Sequence, residues 1–278
     1  MQIGIRLHDT LPLSLEERLS IVKEQGFTCV QLALSKVIKE FPVDNGALTP
    51  GLAIYLRNMF KEAGIDIAVL GCYLNLAHPD PVMLDQIRKT YLAHIRFASI
   101  LGCGVVGTET GAPNKEYKFE EANRTEESLK IFINNLRPVV EYAEKMGAVF
   151  AIEPVTNHIV YNSKRARRVL DEISSPNLQI ILDPVNLLDL DNYMEQNEVI
   201  EEAIDLLGED VAIVHMKDFI IRDNSIISVA AGNGELNYKP IIEFIRTRKP
   251  YIHCTLEDTK PDNAVAAREY IQNIYNNN

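Results

Sequence analysis

Short apolar runs, bounded by polar or glycine-containing turns, alternate along the whole chain with longer segments whose apolar residues recur every third or fourth position. The first pattern is that of buried strands and the second that of amphipathic helices. The strand candidates are QIGIRLH (2–8), CVQLAL (29–34), IDIAVLGCY (65–73), GVVGTE (104–109), VFAIEP (149–154), LQIILDP (178–184), VAIVHMKD (211–218) and YIHCTLED (251–258). A helical pattern follows each one. The first opens with a capping box, Ser14-Leu-Glu-Glu17, and stops near Gly26. The second opens with Thr49-Pro50 and ends at Gly64, and the third runs from about Pro81 to Gly102. The fourth has the clearest stripe: Leu129, Phe132, Leu136, Val139, Val140, Ala143 and Met146, with Gly147 as its stop. SKRARRVLDEI, NEVIEEAIDLLG, NYKPIIEFIRTR and NAVAAREYIQNIY supply the remaining helices.

Strands that alternate with helices predict a parallel sheet covered by helices. Eight such units in 278 residues, with no linker-like break, predict an α/β fold: a single (β/α)8 TIM barrel forming one domain over residues 1–278. An open doubly wound sheet is the alternative. It more often has a glycine-rich phosphate turn after the first strand, and RLHDTLP contains no glycine.

Composition narrows the possibilities further. The formal net charge is −11, and no stretch is rich in Lys and Arg. That balance disfavours nucleic acid, whose phosphate backbone rewards a positive face. The N-terminal MQIGIRLHDTLP lacks a long apolar core, so no secretory signal is expected. No apolar run reaches membrane-spanning length, and no membrane partner is expected. Cys29, Cys72, Cys103 and Cys254 are far apart and form no C-x-x-C pair. They read as buried free thiols, which points to a reducing, cytoplasmic setting.

The chemistry lies at the strand ends. Strand five ends in Glu153, strand six in Asp183, strand seven in His215 and strand eight in Glu257. In a barrel, the C-terminal strand ends form the active-site face, so adjacent strands aim these groups at one place. Three carboxylates in contact cannot all stay ionised unless something positive joins them. One divalent cation meets that need. Carboxylate oxygens with a single imidazole suit Mn2+, with Mg2+, Co2+ or Zn2+ as alternatives.

AIEPV, ILDPVN, VHMKD, GNGELNY and TLED occur in an order and spacing that resemble the xylose isomerase-like TIM barrels. That group includes sugar-phosphate isomerases and epimerases, tagatose and psicose 3-epimerases, and endonuclease IV. The resemblance covers most of the chain and is strongest from about residue 145. It implies that Glu153, Asp183, His215 and Glu257 are metal ligands, and that Glu153 and Glu257 also transfer protons. The implied activity is a metal-dependent isomerase or epimerase of a sugar or sugar phosphate. The implied reaction removes a proton beside a carbonyl and passes through an enediolate. A dehydratase related to the inosose dehydratases is the nearest alternative, and an endonuclease IV-like enzyme a more distant one. Pairing of such barrels also makes a homodimer an expectation by analogy.

One position departs from the family pattern. Three residues after Asp183, where the family often has His, this chain has Asn186. Asparagine can hydrogen-bond a hydroxyl but is a poor zinc ligand, which argues for one metal and against a multinuclear cluster. Beside Asn186, the candidates for contact with a small sugar or polyol are His158, Lys217, Glu109 and His78. His8, at the end of strand one, is a weaker candidate. Asp218 reads as a helix cap, and GNGELNY (232–238) as a turn into a helix, since it lacks the Gly-Lys-Ser/Thr of a phosphate loop.

Overall fold

The structure, a computed structural model, describes residues 1–277. The strands are β1 (Gln2–Arg6), β2 (Cys29–Leu32), β3 (Asp66–Gly71), β4 (Val105–Glu109), β5 (Val149–Glu153), β6 (Leu178–Leu182), β7 (Val211–Met216), β8 (Asp218–Arg222), β9 (Ser225–Val229) and β10 (His253–Leu256). Eight of them close into a parallel barrel in the order β1-β10-β7-β6-β5-β4-β3-β2. The fold is the expected (β/α)8 barrel. β8 and β9 lie outside it as an antiparallel hairpin.

The helices are α1 (Leu15–Glu24), α2 (Leu34–Val37), α3 (Pro50–Ala63), α4 (Pro81–Leu101), α5 (Glu126–Met146), α6 (Ser163–Ile173), α7 (Gln196–Leu207), α8 (Lys239–Arg248) and α9 (Ala264–Asn277). Their starts follow local chemistry. The Glu17 amide donates to Ser14 Oγ, and the Ser14 amide donates to the Glu17 carboxylate. Thr49 and Asp80 cap α3 and α4, each followed by proline at the first helical position. Gly64, Gly102 and Gly147 end α3, α4 and α5 in the left-handed conformation. None of the described helices is long and apolar enough to cross a membrane.

Strand alternation divides the apolar residues into two cores. In β5, Phe150 and Ile152 join the large core between barrel and helices, where Tyr91 of α4 meets Phe150 edge-on at 5.3 Å. Ala151, on the opposite face, joins a smaller cluster with Cys29, Ala68, Val69, Ile181 and Ile213 inside the barrel. Space there is tight. A Cβ on Gly107 would lie 2.7 Å from both Ile181 and Val69, so only glycine fits.

Three local features differ from the sequence reading. The second strand stops at Leu32 because residues 34–37 form the short α2. The first stops at Arg6, where a single 3-10 turn, Leu7–Asp9, begins. The third difference is the β8–β9 hairpin, which turns on Asp223 and Asn224, both in the left-handed region.

Asp218 is not a helix cap. It is 1% exposed, and its carboxylate accepts from the amides of Phe219 (2.9 Å), Leu236 (2.8 Å) and Gly232 (3.1 Å). It ties the hairpin to the 232–236 turn. Asp218→Ala strands three buried or half-buried donors, and is expected to cost about 3 kcal/mol in urea unfolding. A loss below about 1 kcal/mol would contradict this role.

Candidate metal centre

The inner face of the barrel carries the site. Ala151 and Ile181 fill the barrel centre, and two residues further on each chain reaches Glu153 and Asp183. Ile213 leads in the same way to His215, and the buried Thr255 to Glu257. The period of two thus delivers four polar side chains to one level. Ligand-type atoms of Glu153, Asp183, His215 and Glu257 all lie within 4.8 Å of one another. These residues are only 2, 1, 0 and 6% exposed.

His215 stands between the two glutamates. Its Nδ1 is 3.1 Å from Glu153 Oε1 and 3.2 Å from Glu257 Oε1. Lys217 reaches the same cluster, with Nζ 2.9 Å from Asp183 Oδ2 and 3.1 Å from Glu257 Oε2. It also donates to Asn186 Oδ1 at 2.8 Å, and Asn186 Nδ2 donates to Glu153 Oε1 at 2.7 Å. Asp183 Oδ1 accepts from the amides of Val185 and Asn186. Arg6, on β1, places Nη1 3.4 Å from Glu257 and pairs more closely with Asp9 and Asp258.

These neighbours pull the titrations apart. Burial pushes the Asp183 carboxyl up to about 6, against the pull of Lys217 and with the push of Glu257 and Glu153. Burial would raise Glu257 too, but His215, Lys217 and Arg6 hold it well below the usual range. Burial opposes a charged His215, yet the carboxylates of Glu257 and Glu153 raise it to about 9. Lys217 is likewise raised, since Asp183, Glu257 and Glu153 outweigh its burial.

The donor set fits a divalent cation. Three carboxyls and one imidazole converge, and two of their atoms lack an aligned hydrogen bond. One is Asp183 Oδ2, which meets Lys217 only as an ion pair, and the other is His215 Nε2. Native interiors rarely leave such atoms unpaired without a reason, and ion binding is one.

Above the cluster lies a cavity of about 460 Å³. Glu153, Glu257, Asn186, Lys217, His158 and Glu109 line it, as does His8. Glu109 sits beside Glu153 in register; burial raises its carboxyl, partly offset by a hydrogen bond from Tyr117. Tyr117 stacks on His158, with ring centroids 5.1 Å apart. Burial lowers both His8 and His158 to about 4, so both imidazoles are neutral at pH 7. His78 is not among the lining residues. Its Nδ1 accepts from the Asp80 amide at the start of α4. The wall also contains Arg6, Gln31, Lys36, Tyr73 and Asp258, which sequence reasoning did not single out. Arg6 and Gln31 are register partners at the ends of β1 and β2, so strand-end position alone could have flagged them.

A closed parallel barrel with a buried carboxylate–imidazole cluster at its C-terminal mouth, able to hold a metal ion, places the chain among the TIM barrels with a site at that face. Among these, the chain belongs to the xylose isomerase-like TIM barrel family, whose model matches residues 19–274. Its fold is similar to that of an IOLI protein solved with a zinc atom (TM-score 0.78, 16% identity, covering 100% of this chain and 99% of that one). It is also similar to a D-psicose 3-epimerase solved with D-tagatose, from Clostridium cellulolyticum H10 (TM-score 0.74, 15% identity, 99% of each chain). A probable 3-DHS dehydratase, AsbF, from Bacillus anthracis matches equally well (TM-score 0.74, 15% identity, 100% of each chain). No curated protein sequence matches the chain significantly.

If the four residues hold one ion, Asp183→Ala and His215→Ala lose most bound metal in elemental analysis after dialysis. Glu109→Gln, outside the cluster, keeps it. Full occupancy in both alanine variants would remove them from the ligand set.

Proposed function

We propose that the protein is a divalent-metal-dependent isomerase or epimerase of a small sugar or polyol. It removes a proton from the carbon beside a carbonyl and returns it to the opposite face or to the neighbouring carbon. The observation that carries this reading is the pair of glutamates flanking His215 at 3.1 and 3.2 Å. Two carboxylates converging on one point give the site two groups that could take and return a proton. Glu153 Oε2 has no hydrogen-bond partner among the described residues and belongs to a residue that lines the cavity, which suits a base. Glu257 Oε2 is held by Lys217, which fixes its direction.

Glu153, Asp183, His215 and Glu257 would hold the ion. Their oxygen-rich set favours Mn2+, with Mg2+, Co2+ and Zn2+ as alternatives. When bound, the ion would act as a Lewis acid on the substrate's carbonyl oxygen and ease loss of the adjacent proton. Asn186 and Lys217 would orient hydroxyls beside the ion, and His158 and Glu109 would do so across the cavity. The four buried, unpaired cysteines support a reducing, cytoplasmic compartment. The net charge of −11 supports a small-molecule substrate over nucleic acid.

A dehydratase is the second reading. It shares the first proton removal, and one feature favours it: Lys217 places an ammonium in the cavity wall beside the cluster, where its charge could stabilise a departing hydroxyl. Loss of water yields an unsaturated product, so its appearance would separate the two readings.

Glu153→Gln and Glu257→Gln each keep a ligand oxygen but lose the basic one. On a ketose the parent accepts, kcat should fall by about 10²–10⁴-fold while some metal remains bound. Near-normal kcat in both variants with metal bound would move the proton-transfer role elsewhere, with Glu109 and His158 next in line.

A further inference from the structure

The loops after the last two barrel strands bear on what charge the substrate carries. In TIM barrels those loops frequently hold a substrate phosphate through backbone N–H groups. Here the loop after β7 turns its N–H groups onto the chain's own anion. The amides of Phe219, Gly232 and Leu236 all donate to Asp218, at 2.8–3.1 Å. Gly234 closes the arrangement: a Cβ there would lie 2.4 Å from Asp218 Oδ1 and 2.2 Å from Phe219 O. An internal carboxylate fills the nest that an external phosphate would need. The loop after β10 brings acidic side chains to the cavity instead. It presents Glu257 and Asp258 to the cavity, the latter at a φ of 53°.

The cations are committed as well. Arg6 pairs with Asp9, Asp258 and Glu257, and Lys217 with Asp183 and Glu257. Only Lys36 lines the cavity without an ion pair among the described residues, and it is exposed at the rim. A single flexible ammonium is a weak phosphate site, because phosphate recognition relies on several converging donors. With the His215 imidazole neutral, as an ion ligand must be, the carboxyls of Glu109, Glu153, Asp183, Glu257 and Asp258 in the cluster and wall face three cations, Arg6, Lys36 and Lys217. A divalent ion brings that balance to zero before any substrate enters, so an anionic substrate would tip it negative. The rest of the wall is neutral and mostly polar: Gln31, Tyr73, Asn186, Asn157 and the apolar Val155, with His8 and His158 uncharged at pH 7.

We propose that the substrate is an uncharged polyhydroxylated carbonyl compound, and that this cavity discriminates against phosphate esters and sugar acids. The inference rests on the metal-dependent reading of the same site and narrows its substrate class.

The test is binding, read apart from turnover. The full-length protein loaded with Mg2+ is titrated with ketopentoses and ketohexoses, their terminal phosphate esters and the corresponding ketoaldonic acids, by ligand-observed NMR. At least one free ketose should bind saturably, with its ester and acid weaker by about tenfold or more. An ester or acid that binds as tightly as its free sugar overturns the proposal, and so does failure of every free ketose to bind. A free ketose that binds selectively but exchanges no proton with D2O supports this inference and counts against the isomerase reading alone.

Discussion

Three carboxyl groups and an imidazole held within 4.8 Å of one another, almost fully buried, cannot be stable on their own charges. The rest of the site is arranged around that constraint. Lys217 and Arg6 bring positive charge to Glu257, and Lys217 to Asp183. Asn186 bridges Lys217 and Glu153, and amides of the turn after β6 hold Asp183. These partners leave part of the problem standing, because burial still lifts Asp183 to about 6. A divalent ion would resolve it, and the barrel supplies the rigid frame. Each of the four side chains follows a buried strand whose inner residues, such as Ala151, Ile181 and Ile213, are packed against one another.

The same constraint extends outward to substrate choice. A mouth already lined by carboxylates, with its cations paired and the amides after β7 taken by Asp218, has little left to offer an anion. It has many neutral groups to offer a hydroxyl. The excess of carboxylates that would draw a cation to the floor would also repel an anionic substrate.

The barrel and the convergence of Glu153, Asp183, His215 and Glu257 were legible in the sequence, for a simple reason. Parallel strands are buried on both faces, so a charged residue at the end of an apolar run stands out, as Glu153 does after VFAI. Arg6 and Gln31 also sit at strand ends but are not metal-ligand types, and the place of Tyr73 in the wall depends on barrel closure. The β8–β9 hairpin was missed because its turn is Asp223-Asn224, without the glycine that usually marks such a turn. Asp218 was misread with it, since its three donors come from amides up to 18 residues away. His78 resembled a site residue in its local sequence, but its ring instead orders the start of α4. Loops fold by contacts that local sequence does not announce.

The central claim is that Glu153, Asp183, His215 and Glu257 form one divalent metal site. Anomalous diffraction from a crystal soaked in Mn2+ tests it most directly. The account predicts a single strong peak bound by all four residues, at about 2.0–2.6 Å from their ligand atoms. A peak elsewhere, or none while Lys217 still bridges Asp183 and Glu257, would contradict it.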